Sequence, residues 1–593
     1  MLEYPFDAAR VIQKRKSLRR ALLADGTPRL KKKIAVLGGS TTSDIVKTLE
    51  LFLLDAGIEP TFYESEYAQY YQDAMFPGEE LLQFAPDLIW IHTSNRNVTS
   101  YPQVTDPAEQ VEEKFQTELG KFRAIWESLT EKFHCPIIQN NFEMPLYRLL
   151  GNRDCYDIHG RTHFLSRLNQ AFYDYAQSHE NFHINDLNFI SASYGLQEWS
   201  NPLYWNMYKY AMCFEAIPAF AQNLANIMKS IFGKNKKALA LDLDNTLWGG
   251  VVGDDGVDGI EIGQETGVSQ SYYEFQSYLK QLKSIGIILT VCSKNDHENA
   301  IAGLNHPEGV LRPEDFAVIK ANWENKDQNI AQIARELNIM EDAIVFVDDN
   351  PAEREIVRVQ RPGVAVPVMD SVETYITTLD RNGFFEVTSL SEDDFKRNEM
   401  YRTNALRAAQ QAAFQDYGEY LKSLDMHATI DDFLPVYIAR ITQLTNKSNQ
   451  FNLTTRRYTQ AQMEQVFESD DYIRLYGKLT DKFGDNGVVS VVIGKKNGHT
   501  LDVELWLMSC RVLKRDMELA MLDTLVTKCR AAGIDEIRGY YYPTAKNGMV
   551  RELYAQFGFT QISCDAAGNT VWQLPLADYQ TKNHVIAVSG NPK

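Results

Sequence analysis

Two aspartates close a short apolar run in the string ALALDLD, where Asp242 and Asp244 follow residues 238–241. Carboxylates two residues apart at the end of a buried parallel strand both face the crevice where open α/β sheets bind ligands. A DxD pair alone is common at strand ends. Further polar residues follow other strand-like or loop segments: Ser293 after LTVC, Lys326 after NWEN, and Asp348 and Asp349 after IVFV.

Together these residue types predict a phosphoryl-transfer site. Asp242 is the predicted nucleophile on phosphorus, and Asp244 is the predicted acid and base, which protonates the leaving oxygen and then activates water. Ser293 and Lys326 are predicted to hold the phosphate oxygens. Two nearby residues are predicted to bind substrate: Thr246 and Asn295.

The same carboxylates predict a Mg²⁺ site. Asp242 and Asp349 are the expected carboxylate ligands, Asp244 contributes its main-chain carbonyl, and Asp348 is a neighbouring or alternative ligand. Mg²⁺ is a hard cation that takes oxygen ligands and offsets the repulsion between carboxylates and phosphate. An unrelated set of polar strand ends is the alternative interpretation.

The length and composition describe a globular chain. It has 593 residues, of which 44% are hydrophobic and 23% charged. At roughly 150 residues per domain, three or four domains are expected. Its 60 Lys and Arg against 79 Asp and Glu give a net charge of −19. This charge disfavours a nucleic acid or a membrane as partner, although it permits local basic patches around an anionic substrate.

Seven cysteines are scattered without a CxxC pair, which predicts reduced thiols rather than disulfides or a zinc site. The N-terminal residues lack the apolar core of a signal peptide, and no run approaches the ~18 apolar residues that a membrane span needs. A cytoplasmic protein is therefore expected.

Apolar strand signals alternate with helical patterns, which predicts an α/β multidomain protein. Residues 1–232 indicate an open parallel sheet. Residues 233–390 indicate a second parallel sheet covered on both faces, with Ile330, Ile333 and Leu337 on one helical face. Residues 391–593 begin with a polar helical stretch and continue into antiparallel β structure, with GDNG and KKNGH as predicted turns.

The strings DLDNT, SKN, NWENK and VDDNPAER resemble the motifs of the haloacid dehalogenase (HAD) phosphatase superfamily. LDLDNTLWGGVVGDDG and KSNQFNLTTRRYT are similar to its FkbH-like branch in subfamily IIIC, over roughly residues 237–590. This resemblance implies a Rossmann-like HAD domain that takes a small phosphorylated substrate, 1,3-bisphosphoglycerate. The glyceryl unit is dephosphorylated and loaded onto the phosphopantetheine thiol of an acyl carrier protein, in secondary-metabolite or polysaccharide biosynthesis.

Two other functions stay open. One is a HAD phosphatase of small phosphorylated metabolites without acyl transfer, and the other is a scaffold whose catalytic residues are relics. The segment 248–253 follows Asp242 too closely to contain a large cap, so an open site that admits a macromolecular partner is expected. A plain β-turn is the alternative for its glycines. Arg354 is expected to form a surface salt bridge or to contact a second anionic group.

The segment NKSNQFNLTTRRY, residues 446–458, is dense in polar side chains. Either it is a capped turn packed on the sheet, or it binds substrate or carrier through these residues: Asn449, Gln450, Asn452 and Arg456. The chain after this segment resembles the GNAT acyltransferase fold. The RxxGxG loop of that fold appears here as residues 511–516 with both glycines replaced, which argues against coenzyme A binding.

Two thiols are candidates for a transient acyl-enzyme. Cys510 precedes that loop, where Lys514 and Arg515 supply positive charge that favours a thiolate, and Cys292 precedes Ser293. The alternative for each is a buried apolar role.

The string VLGGSTTSD resembles the nucleophile block of SGNH hydrolases, with Ser40 as the serine and Gly39 in place of an aspartate. Asn95 is the predicted oxyanion-hole residue. No DxxH pair occurs later in this region, so Ser40 lacks a base, and a non-catalytic binding or docking domain is expected.

Overall fold

The structure is a computed structural model that describes residues 2–397, 400, 401, 403, 407, 410, 414–544 and 546–590. The chain forms two compact units. The first comprises Met1–Lys234 with Arg381–Ser389, and the second comprises Asn235–Asp380 with Leu390–Lys593. The predicted fold class is confirmed: the protein is α/β and multidomain, with two parallel sheets and one mixed sheet.

The first unit contains a five-stranded parallel sheet in the order β2-β1-β3-β4-β5. Its strands are β1 (Leu30–Gly38), β2 (Ile58–Glu64), β3 (Leu88–His92), β4 (Ile137–Asn140) and β5 (Phe182–Asn185). Its helices are α1 (Ala8–Ala24), α2 (Ser43–Asp55), α3 (Tyr70–Met75), α4 (Glu79–Phe84), α5 (Ala108–Phe133), α6 (Arg161–Ser178), α7 (Leu187–Tyr194), α8 (Leu196–Trp199), α9 (Pro202–Tyr208) and α10 (Ile217–Ile231).

Both faces of this sheet are buried. Successive side chains of a strand point to opposite faces, so Val36 and Trp90 enter one apolar cluster while Leu37 and Ile91 enter the other. This is why its strands are near-continuous apolar runs rather than alternating ones.

The second unit contains a four-stranded parallel sheet in the order β8-β7-β6-β9. Its strands are β6 (Ala238–Leu241), β7 (Ile288–Ser293), β8 (Val318–Ala321) and β9 (Ile344–Val347). The helices in this part of the chain are α11 (Val252–Asp255), α12 (Gly267–Ser284), α13 (His297–Leu304), α14 (Lys326–Leu337), α15 (Pro351–Gln360) and α16 (Val372–Arg381). The predicted apolar face of α14 is buried, as Ile330, Ile333 and Leu337 all enter the core.

A nine-stranded mixed sheet forms the rest of the second unit. Its strands are β10 (His427–Asp432), β11 (Phe451–Asn452), β12 (Tyr472–Asp481), β13 (Gly484–Asn497), β14 (Thr500–Met508), β15 (Glu536–Tyr541), β16 (Thr560–Cys564), β17 (Thr570–Pro575) and β18 (Ala587–Ser589). The described helices here are α17 (Glu392–Phe395), α18 (Tyr417–Ser423), α19 (Ile438–Lys447), α20 (Gln460–Glu468), α21 (Met517–Ala531) and α22 (Leu553–Gln556).

Strand β11 fills a gap between two diverging neighbours. β14 and β15 pair only from Thr500 to Val503 on the β14 side. Beyond that point β11 pairs with Leu507 and Met508 of β14. The main chain of Leu453, just after β11, donates to Trp506 O (3.1 Å) and accepts from Tyr542 N (2.9 Å).

The turn predicted at KKNGH is confirmed, since β13 ends at Asn497 and β14 begins at Thr500. The turn predicted at GDNG is wrong, because residues 484–487 lie inside β13. The chain reverses just before them, at residues 482 and 483, between paired Asp481 and Gly484. Asp481 fixes that reversal by accepting from Phe483 N (2.9 Å).

The polar helical stretch predicted at the start of the third region is described only in part. α17 and α18 lie in it, whereas residues 398, 399, 402, 404–406, 408, 409 and 411–413 are outside the described residues. Among the helices of the described chain, none combines the length and apolar character needed to cross a bilayer.

Candidate active site

Parallel pairing brings the two acidic segments to one edge of the four-stranded sheet. Leu241, the last residue of β6, pairs with Val347, the last residue of β9. The next residues along each strand, Asp242 and Asp348, therefore emerge side by side at the carboxyl edge. Asn245 adopts the left-handed conformation (φ 55°) and turns the chain away from the sheet.

Three carboxylates and one ammonium group form the centre of the site. Oxygens of Asp242, Asp348 and Asp349 all lie within 4.8 Å of one another. Lys326 Nζ lies 3.0 Å from Asp242 Oδ2 and 2.5 Å from Asp348 Oδ2. Within the described part of the chain, Asp242 Oδ1 is buried without a hydrogen-bond partner. A buried oxygen of this kind points to a ligand or reactant as its partner.

The electrostatics of this cluster favour a cation. Burial, reinforced by the Asp242 carboxylate, raises the pKa of Asp348 to about 6, and the same two causes raise the pKa of Asp349. Burial acts to lower the pKa of Lys326, but Asp242 and Asp348 outweigh it and hold that pKa above its ordinary value. Three carboxylates around one ammonium leave a net negative charge.

Asp244 is held by three donors. Its Oδ1 accepts from Trp248 Nε1 (3.0 Å) and from Val252 N (3.0 Å), and its Oδ2 accepts from Asn295 Nδ2 (2.8 Å). Burial raises the pKa of Asp244. A fixed, half-buried carboxyl group with a raised pKa suits alternate release and uptake of a proton. Asn295, predicted to bind substrate, here orients Asp244.

Thr246 and Ser293 lie at the same edge. Thr246 Oγ1 accepts from Asp349 N (3.2 Å) and lies 3.4 Å from Asp349 Oδ1, so it fixes that carboxylate. Ser293 ends β7 and is buried, and its main-chain oxygen accepts from Asn322 N (3.2 Å), which ties β7 to the segment leading to Lys326.

Arg354 has a role that the sequence did not reveal. It is buried rather than at the surface, and its Nη1 donates to the carbonyls of Asp348 (2.9 Å), Asp349 (2.7 Å) and Met369 (2.9 Å). Its Nη2 pairs with Asp370 (2.8 Å). Arg354 therefore fixes the main chain that carries two of the clustered carboxylates.

The flap over the site is short. Gly249 and Glu261 exchange two main-chain hydrogen bonds, of 3.0 and 2.8 Å, which close a small loop directly after Trp248. Gly250 at the start of this loop has a φ of 88°, a conformation that favours glycine. The predicted minimal cap is confirmed, and the carboxylate edge is not covered by an inserted domain.

The residues fit Mg²⁺. The donor set of Asp242, Asp348 and Asp349 consists of hard oxygens, and Asp242 Oδ1 has no competing protein donor among the described residues. The carboxylate of Asp244 accepts from three donors, and its contribution to the metal through the main-chain carbonyl stays a prediction.

The two candidate thiols lie at different places in the second unit. Cys292 is fully buried, its Sγ lies 3.5 Å from Lys326 O, and burial raises its pKa. Cys510 packs against the core of the four-stranded parallel sheet, where its carbonyl accepts from Asn338 Nδ2 (2.6 Å) and its Sγ lies 3.5 Å from Tyr401 Oη. Asn338 caps the end of α14, at the amino edge of the parallel sheet. The structure thus does not bring Cys510 to the carboxylate cluster.

The charge near Cys510 also differs from the expectation. Arg515 is buried and pairs with Asp481 (3.1 Å). Burial lowers the pKa of Lys237, just before β6, and Cys510 partly opposes that effect. Lys514 and Asp516 occupy the positions of the two missing glycines, and both keep positive φ values of 62° and 59°. The loop thus retains a left-handed backbone at both positions despite the substitutions.

The polar segment 446–458 is a well-bonded turn. Asn452 is buried, accepts from Thr455 N (2.8 Å) and donates to Ser448 O (3.3 Å). The other predicted binding residues lie in the same turn: Asn449 accepts from Arg457, Arg456 pairs with Glu504 (2.5 Å), and Gln450 is half-buried. Asn449, Asn452 and Arg456 therefore have structural partners within this chain.

The serine of the first unit is enclosed. Ser40 is buried, and its Oγ has no hydrogen-bond partner in the described chain. Asn95, the predicted oxyanion-hole residue, donates to Glu143 O (3.3 Å), while Asn97 is the asparagine that reaches Gly39, at 2.9 Å from its carbonyl. Burial raises the pKa of Glu143 to about 8.

Comparison with known proteins adds independent observations. The model of the FkbH N-terminal domain matches residues 33–229. One similar solved structure is that of the N-terminal part of the protein BF1531 from Bacteroides fragilis, which contains a phosphatase domain and is complexed with Mg. Its sequence is 33% identical and its TM-score is 0.58. The match covers 63% of this chain and 99% of that chain. No curated protein matches.

Two acetyltransferases also match at low similarity. The ribosomal-protein-S18-alanine N-acetyltransferase of Escherichia coli is 12% identical at a TM-score of 0.21, over 26% of this chain and 99% of that one. The yncA acetyltransferase of Salmonella typhimurium is 16% identical at a TM-score of 0.21, over 26% and 95% of the two chains. These matches are too weak to add to the assignment.

The parallel sheet, its short flap and the carboxylate edge define a HAD protein with a phosphatase-type fold. With the relative of 33% identity matched over nearly its whole length, the chain belongs to the FkbH-like branch of that superfamily.

Proposed function

We propose that this protein is a Mg²⁺-dependent phosphatase that removes phosphate from a phosphoglyceryl substrate, 1,3-bisphosphoglycerate, and transfers the glyceryl unit to the thiol of an acyl carrier protein. The observation that carries the phosphatase part is the buried Asp242 Oδ1, which lacks a partner in the described chain and lies among Asp348, Asp349 and Lys326.

In the proposed reaction Asp242 Oδ1 attacks phosphorus and forms an aspartyl phosphate as the bond to the leaving oxygen breaks. Asp244 gives its proton to that oxygen and then takes a proton from the water that hydrolyses the aspartyl phosphate. Its raised pKa supports this role. Lys326 offsets charge on Asp242 and Asp348 throughout. When bound to Asp242, Asp348 and Asp349, Mg²⁺ would neutralise phosphate charge and orient the substrate.

Glyceryl transfer is the finer part of the proposal. The acyl phosphate at C1 is already activated toward a thiol: the sulfur bonds to the acyl carbon as the bond to the C1 phosphate breaks, and that phosphate leaves with the thiol proton. The phosphate that Asp242 removes is therefore the phosphomonoester at C3. Transfer then chiefly requires that both reactants be positioned. The short flap supports access for a carrier-bound arm. We keep Cys510 as a candidate acyl carrier on the enzyme, with direct transfer to the carrier thiol as the alternative, since Cys510 packs near Asn338 rather than Asp242.

The test is intact-mass analysis of a holo carrier protein incubated with enzyme, Mg²⁺ and 1,3-bisphosphoglycerate, with phosphate release measured in parallel. The proposal expects both phosphate and a glyceryl-loaded carrier, and loss of phosphate release in Asp242→Asn. Asp258→Asn, at an exposed carboxylate of the flap region, is the matched control. Phosphate without carrier loading would favour the small-metabolite phosphatase, and neither product would favour the scaffold.

A further inference from the structure

Large apolar side chains are exposed in two neighbouring connections of the first unit, those that leave β4 and β5. They are 40–75% exposed, which is unusual for side chains of this size on a surface. They form the apolar patch: Leu146, Tyr147, Leu149, Tyr156, Leu203, Met207 and Tyr208.

The two halves of the patch flank one loop. Arg96, which lies just after β3, sits over the ring of Trp205 in α9 at 5.3 Å. Its neighbour Asn95 donates to Glu143 Oε2 (3.2 Å), at the start of the connection after β4. The apolar side chains of both connections are therefore arranged around the carboxyl edge of one sheet.

α9 is firmly attached to that edge. Thr41 Oγ1 donates to Tyr208 O (2.6 Å), and Thr41 N donates to Lys209 O (3.0 Å). Leu203 and Met207, four residues apart, share the outward face of the helix. The exposed face is thus held in place by main-chain contacts of the fold itself.

The rim of the patch is basic in a chain of net charge −19. Five basic residues belong to these connections or contact them: Arg96 and Lys209 lie over the Trp205 ring and Arg161 over the Tyr147 ring, while Arg148 and Arg153 lie between Leu146 and Tyr156 in the chain. Residues 144–161 contain two acids, of which Asp154 is buried and Asp157 pairs with Arg153 (2.6 Å). Residues 201–210, which carry the second half of the patch, contain no acid, and the acids of the connection after β5 lie outside that stretch, at Asp186, Glu198 and Glu215. The exposed flap region of the second unit instead carries Asp254, Asp255 and Asp258, which would repel an acidic partner.

We propose that the apolar patch docks an acidic helical protein through an apolar helix face with carboxylates around it, and that this partner is the acyl carrier protein. The identity of the partner rests on the proposed function, whereas the apolar and basic character of the site does not. Apolar contact supplies affinity here, and the basic rim supplies steering and orientation.

The experiment measures binding of an acidic holo carrier protein to the full chain by titration calorimetry, at low and physiological salt. Leu203→Ser/Met207→Ser and Arg148→Glu are expected to weaken binding at least tenfold, and wild-type binding should weaken as salt rises. Phe76→Ser/Leu82→Ser, at exposed apolar residues of the α3–α4 region, and Lys14→Glu, on exposed α1, are the matched controls and should bind as wild type.

Thermal unfolding of each variant reports whether the mutated first unit is folded, and phosphate release from a small phosphomonoester reports on the second unit; both should be unchanged. Patch variants that bind and load the carrier like wild type would overturn the docking site while leaving the proposed function intact. A patch-dependent complex without carrier loading would support the docking site against the proposed transfer. Absence of wild-type binding in a chain that releases phosphate would overturn the docking proposal.

Discussion

Replacing Asp242 by Asn should separate stability from catalysis. With 4.8 Å as the upper limit of the carboxylate separations, Asp348 and Asp349 each repel an ionised Asp242 by about 3.5 kcal/mol at an effective dielectric constant of about 20. On the same scale Lys326, at 3.0 Å, attracts it by about 5.5 kcal/mol. A net repulsion of about 1–2 kcal/mol remains, and the amide relieves it.

At pH 8 in a chelating buffer, Asp242→Asn is therefore expected to be at least as stable as wild type in thermal unfolding. Excess Mg²⁺ should reverse that order, because a ligand at about 100 times its Kd stabilises the native state by about 2.7 kcal/mol and the variant has lost one carboxylate ligand. Phosphate release should fall at least about a hundredfold.

Two results would refute this reasoning. Turnover above about one hundredth of wild type would remove Asp242 as the nucleophile. A metal-free variant less stable than wild type by more than about 1 kcal/mol would mean that favourable contacts, not repulsion, dominate at this carboxylate. Asp258→Asn should leave both measurements unchanged.

Arg354→Met should cost about 3 kcal/mol and weaken Mg²⁺ binding, because three main-chain carbonyls lose their donor; unchanged metal affinity in a titration would contradict this. Burial raises the pKa of Glu143 to about 8, so its contribution to the free energy of unfolding is present at pH 4 and is lost as pH rises towards 8. Glu143→Gln should remove that loss when the free energy of unfolding is measured at pH 5 and 8.5. Ser40→Ala should leave carrier loading and the fold unchanged, since its hydroxyl has no described partner, and lost loading in a folded variant would argue for a catalytic serine. Cys510→Ser should spare phosphate release, and its carrier loading, measured by intact mass, decides between an acyl-enzyme there and direct transfer or Cys292.

The carboxylate edge was predictable because strand ends in a parallel sheet share one side. The apolar runs before Asp242 and Asp348 identified the strands, and adjacency of β6 and β9 then brought the two residues together. The assignments of nucleophile, acid and metal ligands stay predictions that the variants above address. The domain boundaries at 232 and 390 also stay predictions.

Contacts between distant segments could not be read from local patterns. The buried position of Arg354 depends on its hydrogen bond to the carbonyl of Met369, 15 residues later in the chain. The residue spacing within VDDNPAER does not predict that contact. The charges next to Cys510 in the sequence predict a thiolate, whereas its observed neighbour Asn338 lies 172 residues away in the chain. The misplaced turn at GDNG has a similar cause: glycine and asparagine permit a turn, but Asp481 fixed the reversal elsewhere.

The insertion of β11 has a consequence for how the mixed sheet folds. β11 lies more than 80 residues before β15 in the sequence. The main chain of Leu453 nevertheless bonds both to Trp506 and to Tyr542. Pairings between segments this far apart carry a large loop-closure entropy and are slow to form. Before β15 has paired with β14, the carbonyl of Leu453 lacks the hydrogen bond that it accepts from Tyr542 N in the folded protein. The hydrogen bond from Tyr542 N to Leu453 O should therefore form late. The amide of Tyr542 should gain protection from hydrogen exchange no earlier than the amide of Leu453, which donates to Trp506 O.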